Sequence, residues 1–218
     1  MNILKVLILT TLFFTASQAK AAFITTNETD LDAIFSQPSF GNMPIDIRIG
    51  PASELIFPDL LDITSDAEVS QLFNMHVGAF NVVNFYFIDT ISACGGSIDT
   101  GFVGCGEFPG NDFVVESSFA AGGFGAELLA HEFGHNLGLD HRNGSFLMNP
   151  SLNNNTTLTN SEVNTIRNSP LVQTDGQDFW IDINPVLIVA SASQPQPVPE
   201  PSTLVLFLLS FTFLLKNA

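Results

Sequence analysis

The chain has 218 residues, 22 acidic against 6 basic side chains, and a formal net charge of −16. So few cations cannot neutralise a run of phosphates, which excludes nucleic acid as a partner. An apolar content of 45%, with 21 phenylalanines, is ample for a buried core and excludes a disordered chain; the length suits one domain with appendages.

Residues 1–21 have the three parts of a secretory signal. Lys5 gives a positive start, Val6 to Thr15 an apolar run, and Ala19-Lys20-Ala21 a small-x-small cleavage site. The run is well short of the ~20 apolar residues a membrane-spanning helix needs. Residues 22–193 then make the body of the chain. Ile45-Asp46-Ile47-Arg48-Ile49 alternates as a strand does and stops at Gly50-Pro51. Ser65 and Glu68 form a capping box, and Val69, Leu72 and Phe73 follow at helical spacing. Val82 to Ile88 is nearly all apolar and predicts a buried central strand. Cys94 and Cys105 bracket a glycine-rich stretch, CGGSIDTGFVGC. In an oxidising compartment this even pair predicts a disulfide, contributing about 2–3 kcal/mol through loop entropy. Asp112 to Glu116 reads as a short strand at a sheet edge, where free backbone groups can pair with an extended peptide. A helix is expected over 125–137, and a second capping box, Thr159 with Glu162, opens another. Residues 177–190 read as one strand or two, without a place the sequence assigns. This order of elements predicts an α/β (α+β) sandwich with a small, loop-rich C-terminal lobe.

The chemistry is concentrated in the long helix. From His131 the sequence runs HEFGHNLGLDH, the pattern H-E-x-x-H-x-x-G-x-x-H. His131 and His135, four apart, share a helical face and can share a metal ion. Gly138 can adopt the left-handed conformation that ends a helix and turns the chain, which brings His141 back as a third nitrogen ligand. Three neutral imidazoles leave Zn²⁺ an open position for water. Glu132 sits beside that water as general base, and afterwards as the acid for the leaving amine. From this chain's own His, Glu and Gly frequencies the pattern arises by chance roughly four times in a million, so three unrelated surface histidines are set aside. His76, the one histidine left over, reads as structural or solvated.

These residues resemble the zinc signature of the metzincin clan of metalloendopeptidases. Beyond His141, Ser145-Phe146-Leu147-Met148-Asn149-Pro150 is similar to that clan's Met-turn. The resemblance covers residues 131–150. It implies a twisted sheet with an active-site helix, His131, His135 and His141 as zinc ligands, Glu132 as base, and Met148 as the apolar floor under the metal. Arg142, after the third histidine, matches none of the clan's large families. Tyr86, the only tyrosine, falls in an expected strand and not near the Met-turn, which leaves oxyanion stabilisation mainly to zinc.

Residues 194–202 (QPQPVPEPS) form a Pro-rich spacer, and 203–218 an apolar segment ending in Lys216-Asn217-Ala218. Val198-Pro199-Glu200-Pro201-Ser202-Thr203, the apolar run and the terminal basic residue together resemble the PEP-CTERM sorting tail of Gram-negative bacteria. That resemblance implies exosortase-type sorting machinery as a partner, transient membrane contact through the tail, and delivery to the cell surface or exterior. The family's tails usually end in several basic residues, and Lys216 stands alone here. A simple C-terminal membrane anchor is the alternative reading of the same segment. The expected function is a secreted zinc endopeptidase acting on peptide or protein substrates. Two alternatives share its site: a non-catalytic, zinc-containing matrix or biofilm-associated surface protein, and hydrolysis of non-peptide amides or esters.

Overall fold

The computed structural model describes residues 22–191. The segments read as export signal, spacer and sorting tail lie outside the described residues. Helix α1 spans Glu28–Phe35 and is followed by strands β1, Ile45–Ile49, β2, Ser53–Ile56, and β3, Asp62–Ile63. After helix α2, Asp66–Phe73, come β4, Val82–Ile88, β5, Thr90–Ile91, β6, Ala93–Cys94, β7, Ser97–Ile98, β8, Gly104–Gly106, and β9, Asp112–Glu116. Helices α3, Ser117–Ala120, α4, Gly125–Asn136, and α5, Asn160–Arg167, precede β10, Gln173–Thr174, and β11, Phe179–Val189.

The main sheet has seven strands in the order β1-β11-β4-β9-β8, with β2 and β10 also pairing to β11. Along that path the neighbours are parallel except β8, which runs antiparallel to β9. Parallel strands are buried on both faces, and β4 shows it. Val83, Phe85 and Phe87 join one core with α1 and α4, while Tyr86 and Ile88 join a second core with α2. The result is a mixed α/β fold in three layers, with α4 held on one face. Phe133 of α4 fixes the contact: it is fully buried, 5.1 Å from Phe35 and 6.0 Å from Phe85 between ring centroids. Burial of one such ring contributes about 2–3 kcal/mol.

Both capping boxes form, Ser65 with Glu68 and Thr159 with Glu162. The structure corrects the sequence reading at one strand and fills in two segments that the sequence left open. β9 is not an edge strand, because β8 pairs with it and takes the outer position. Gly104-Cys105-Gly106 carries no strand pattern, so an edge made of it reads as loop. Residues 28–35, to which the sequence reading assigns no element, form α1 and bury Leu31 and Phe35. The stretch 177–190 is one strand, β11, at the centre of the sheet: it pairs β4 on one side and, on the other, β1 at Ile45↔Phe179 to Ile49↔Ile183 and then β2 at Ser53↔Val186 to Ile56↔Val189. Pro185, which has no amide hydrogen, stands in the gap between the β1 and β2 pairings, where a strand tolerates proline. Among the described residues no helix is long and apolar enough to cross a membrane.

Candidate metal centre

Helix α4 carries four buried polar side chains: Glu127, His131, Glu132 and Asn136. Such groups persist in a core only with partners. The Asn136 amide donates to the carbonyls of Asp112, at 2.9 Å, and Glu107, at 3.1 Å, which ties the helix end to β9. Glu127 accepts from the backbone amides of Asn153, at 2.7 Å, and Asn154, at 2.9 Å, and so fastens the loop on the far wall of the cleft to the first turn of α4. The sequence reading missed Glu127; the Asn153-Asn154-Asn155 run, which needs its backbone amides satisfied in a tight loop, was the one available signal.

The helix ends as its glycine predicts. Gly138 has φ 88°, its amide donates to the His135 carbonyl, and the Leu139 amide reaches back to Gly134 at 2.9 Å. These two bonds are a Schellman cap, and they reverse the chain directly after His135. His141 then returns to the helix face. Its Nε2 lies 3.2 Å from Nε2 of His131 and 3.2 Å from Nε2 of His135. The structure thus brings His131, His135 and His141 together as a cluster whose ligand atoms all lie within 4.8 Å of one another.

Each helical histidine is fixed from behind. Nδ1 of His131 lies 2.8 Å from the Leu147 carbonyl and Nδ1 of His135 lies 2.8 Å from that of Leu139. A proton held at Nδ1 leaves the Nε2 lone pair free. Lone pairs brought this close repel unless a cation lies between them. A tetrahedral ion at about 2.0–2.1 Å from each nitrogen sets edges of about 3.3–3.4 Å, close to the spacing found. The donor set therefore fits a metal ion. Burial keeps the rings neutral, pushing His131 down to about 4 and His135 below the usual histidine range.

Met148 is fully buried against Gly134, where a Cβ would stand 2.5 Å from its sulfur. That glycine lets the methionine pack under the helix turn between the two histidines. Arg142, the residue without a family match, straps this region together. Its amide donates to the Met148 carbonyl at 2.8 Å, its guanidinium stacks 3.8 Å over the Phe146 ring, and it lies 3.7 Å from the Glu162 carboxylate.

Glu132 lines the same cleft, 7% exposed, and burial pushes its carboxyl up to about 8, with the nearby Gly106 backbone opposing the shift. The cleft encloses about 720 Å³, and Phe102, Phe108, Phe119, Leu128 and Leu152 give it an apolar lining around the histidines. Cys94 and Cys105 are bonded and tie β6 to the middle of β8. Tyr86 is fully buried in the α2-side core, behind the sheet from the cleft. His76 bonds the Asp112 carboxylate at 2.9 Å and takes no part in the cluster. Comparison with protein families, with curated proteins and with solved structures finds no match to this chain.

Proposed function

We propose that the chain is a zinc-dependent endopeptidase, with His131, His135 and His141 holding the ion and Glu132 handling the proton. The observation that carries this reading is three ε nitrogens converging on one point, each helical one freed by a hydrogen bond at Nδ1, with a carboxylate on the next helical residue in the same cleft. Zinc bound there would act as a Lewis acid, polarising the scissile carbonyl and lowering the pKa of water to about 7. Glu132 takes a proton from the attacking water as its oxygen bonds to the carbonyl carbon. It then delivers that proton to the amide nitrogen as the C–N bond breaks, leaving a carboxylic acid and an amine. Burial serves this role, because a carboxyl raised towards neutrality both accepts and returns a proton near pH 7. The apolar lining favours a large hydrophobic side chain beside the scissile bond. The acidic exterior favours basic residues further along the peptide.

A second reading has one observation in its favour. The Glu132 carboxyl is buried, and three histidines able to hold a metal ion beside a disulfide require no reaction. On that reading the chain is a non-catalytic, zinc-containing surface or matrix protein. One experiment separates the two: metal analysis of the purified full chain with a peptide-library assay, beside a Glu132→Ala variant. The endopeptidase reading expects about one zinc per chain, chelator-sensitive cleavage next to large apolar residues, and a loss of at least ~100-fold in the variant with zinc retained. Zinc bound without cleavage by the parent would establish the second reading. Export through residues 1–21, with sorting through residues 194–218 by exosortase-type machinery, completes the proposal and places the protein at the cell surface or exterior.

A further inference from the structure

Strand β8 passes directly against the part of α4 that carries Glu132. A Cβ added to Gly104 would stand 2.7 Å from Glu132 Oε1, 2.8 Å from its Cγ and 2.9 Å from its Cδ. One added to Gly106 would stand 2.6 Å from the Glu132 main-chain oxygen and 3.1 Å from the His135 Cβ. Packed carbon atoms keep about 3.5–4.0 Å. Neither glycine has a positive φ, so backbone freedom does not explain either of them. Clearance does: the strand lies on the helix only because both positions lack a side chain. Cys105, between them, points to the opposite face of the strand, packs in the α2-side core and is bonded to Cys94. The strand is therefore held from behind and cannot simply lift away.

A glutamate has several staggered rotamers, and only one of them places the carboxylate at a given point. Here the packed backbone of β8 at Gly104 lies against the Glu132 side chain and closes off that side to its other rotamers. The atoms nearest a Cβ on Gly104 all belong to the Glu132 side chain, while the α4 backbone is locked by Phe133 and Leu129 in the core. Any side chain at position 104 would thus displace the carboxylate rather than the helix. We propose that Gly104-Cys105-Gly106, anchored by the Cys94–Cys105 disulfide, is the positioning element for Glu132, with Gly104 the residue whose missing side chain sets where the carboxylate stands. Its kinetic consequence rests on the endopeptidase reading; its structural consequence does not.

The test compares the full chain with its Gly104→Ala variant by crystal structure, zinc content and steady-state kinetics. The expected result is a Glu132 carboxylate displaced by about 1 Å or more, with zinc retained, kcat reduced by about 100-fold and KM little changed. An unmoved carboxylate would overturn the proposal, whatever the activity. So would a displaced carboxylate with full kcat in a chain whose Glu132→Ala variant is inactive. If the parent cleaves no peptide but the carboxylate still moves, positioning by β8 stands and the endopeptidase reading fails. Should Gly104→Ala not fold, the double variant Gly104→Ala with Glu132→Ala decides. Recovery of folding once the crowded side chain is gone supports the proposal, and continued failure rejects it.

Discussion

His131 and Glu132 are adjacent on one helix, and burial drives them to opposite protonation behaviour. Burial disfavours the charged form of each, so the imidazole titrates low, at about 4, and the carboxyl high, at about 8. The consequence for stability is readable in metal-free protein. His131 contributes stability that is present above its ordinary value of 6.5 and lost as pH falls towards about 4. Glu132 contributes stability that is present below its ordinary value of 4.5 and lost as pH rises to about 8. Of this pair, only Glu132 still titrates between about pH 6.5 and 8. Chelator-treated protein should therefore lose thermal stability as pH rises through that window, and Glu132→Gln should flatten the slope. Melting curves at half-unit pH intervals measure it; an equal slope in the variant would mean that the carboxyl is not buried as described. The H-E-x-x-H spacing was legible because it is a property of one helical turn. That the glutamate is buried under β8 was not legible, since it depends on a strand over twenty residues away in the chain.

Two segments converge on α4 and each carries a clamp. Behind the histidines, the loop through Met148 is strapped by Arg142 and by the hydrogen bond from His131 to the Leu147 carbonyl. On the far wall, Glu127 holds the amides of Asn153 and Asn154. Replacing Glu127 by alanine leaves two backbone amides without their charged acceptor, at a cost of about 2–3 kcal/mol. Urea unfolding of the variant should register that loss, and a cost below about 0.5 kcal/mol would show that water takes over the role of the carboxylate. The two capping boxes, the 82–88 strand and the helix from Gly125 were all legible, because local pattern and burial agree there. β8 was hidden because its two glycines fit the close approach to α4 and carry no strand pattern, so they read as loop. From sequence alone β9 therefore reads as the edge.

At the level of the whole chain, the acids outweigh the cations by 22 to 3 between Glu28 and Glu200. Self-repulsion on that scale keeps the surface solvated, while the two cores on either side of the sheet supply the cohesion. The end segments set the proposed route of the protein. Mass spectrometry of the exported chain should show loss of residues 1–21 and of those beyond about Pro201; an intact C-terminus at Ala218 would favour a plain anchor. By itself the sequence determined the features that live within a few turns of chain: the ligand spacing, the glycine stop behind it, the helix caps, the alternation of β1 and the continuous apolar run of β4. Tertiary structure alone decided that β11 returns from the C-terminal side to the centre of the sheet, that β8 supplies its edge, and that Glu132 is walled in by two glycines. The difference is one of range: helix and turn geometry follow from neighbouring residues, whereas strand order and close approach depend on which distant surfaces bury one another.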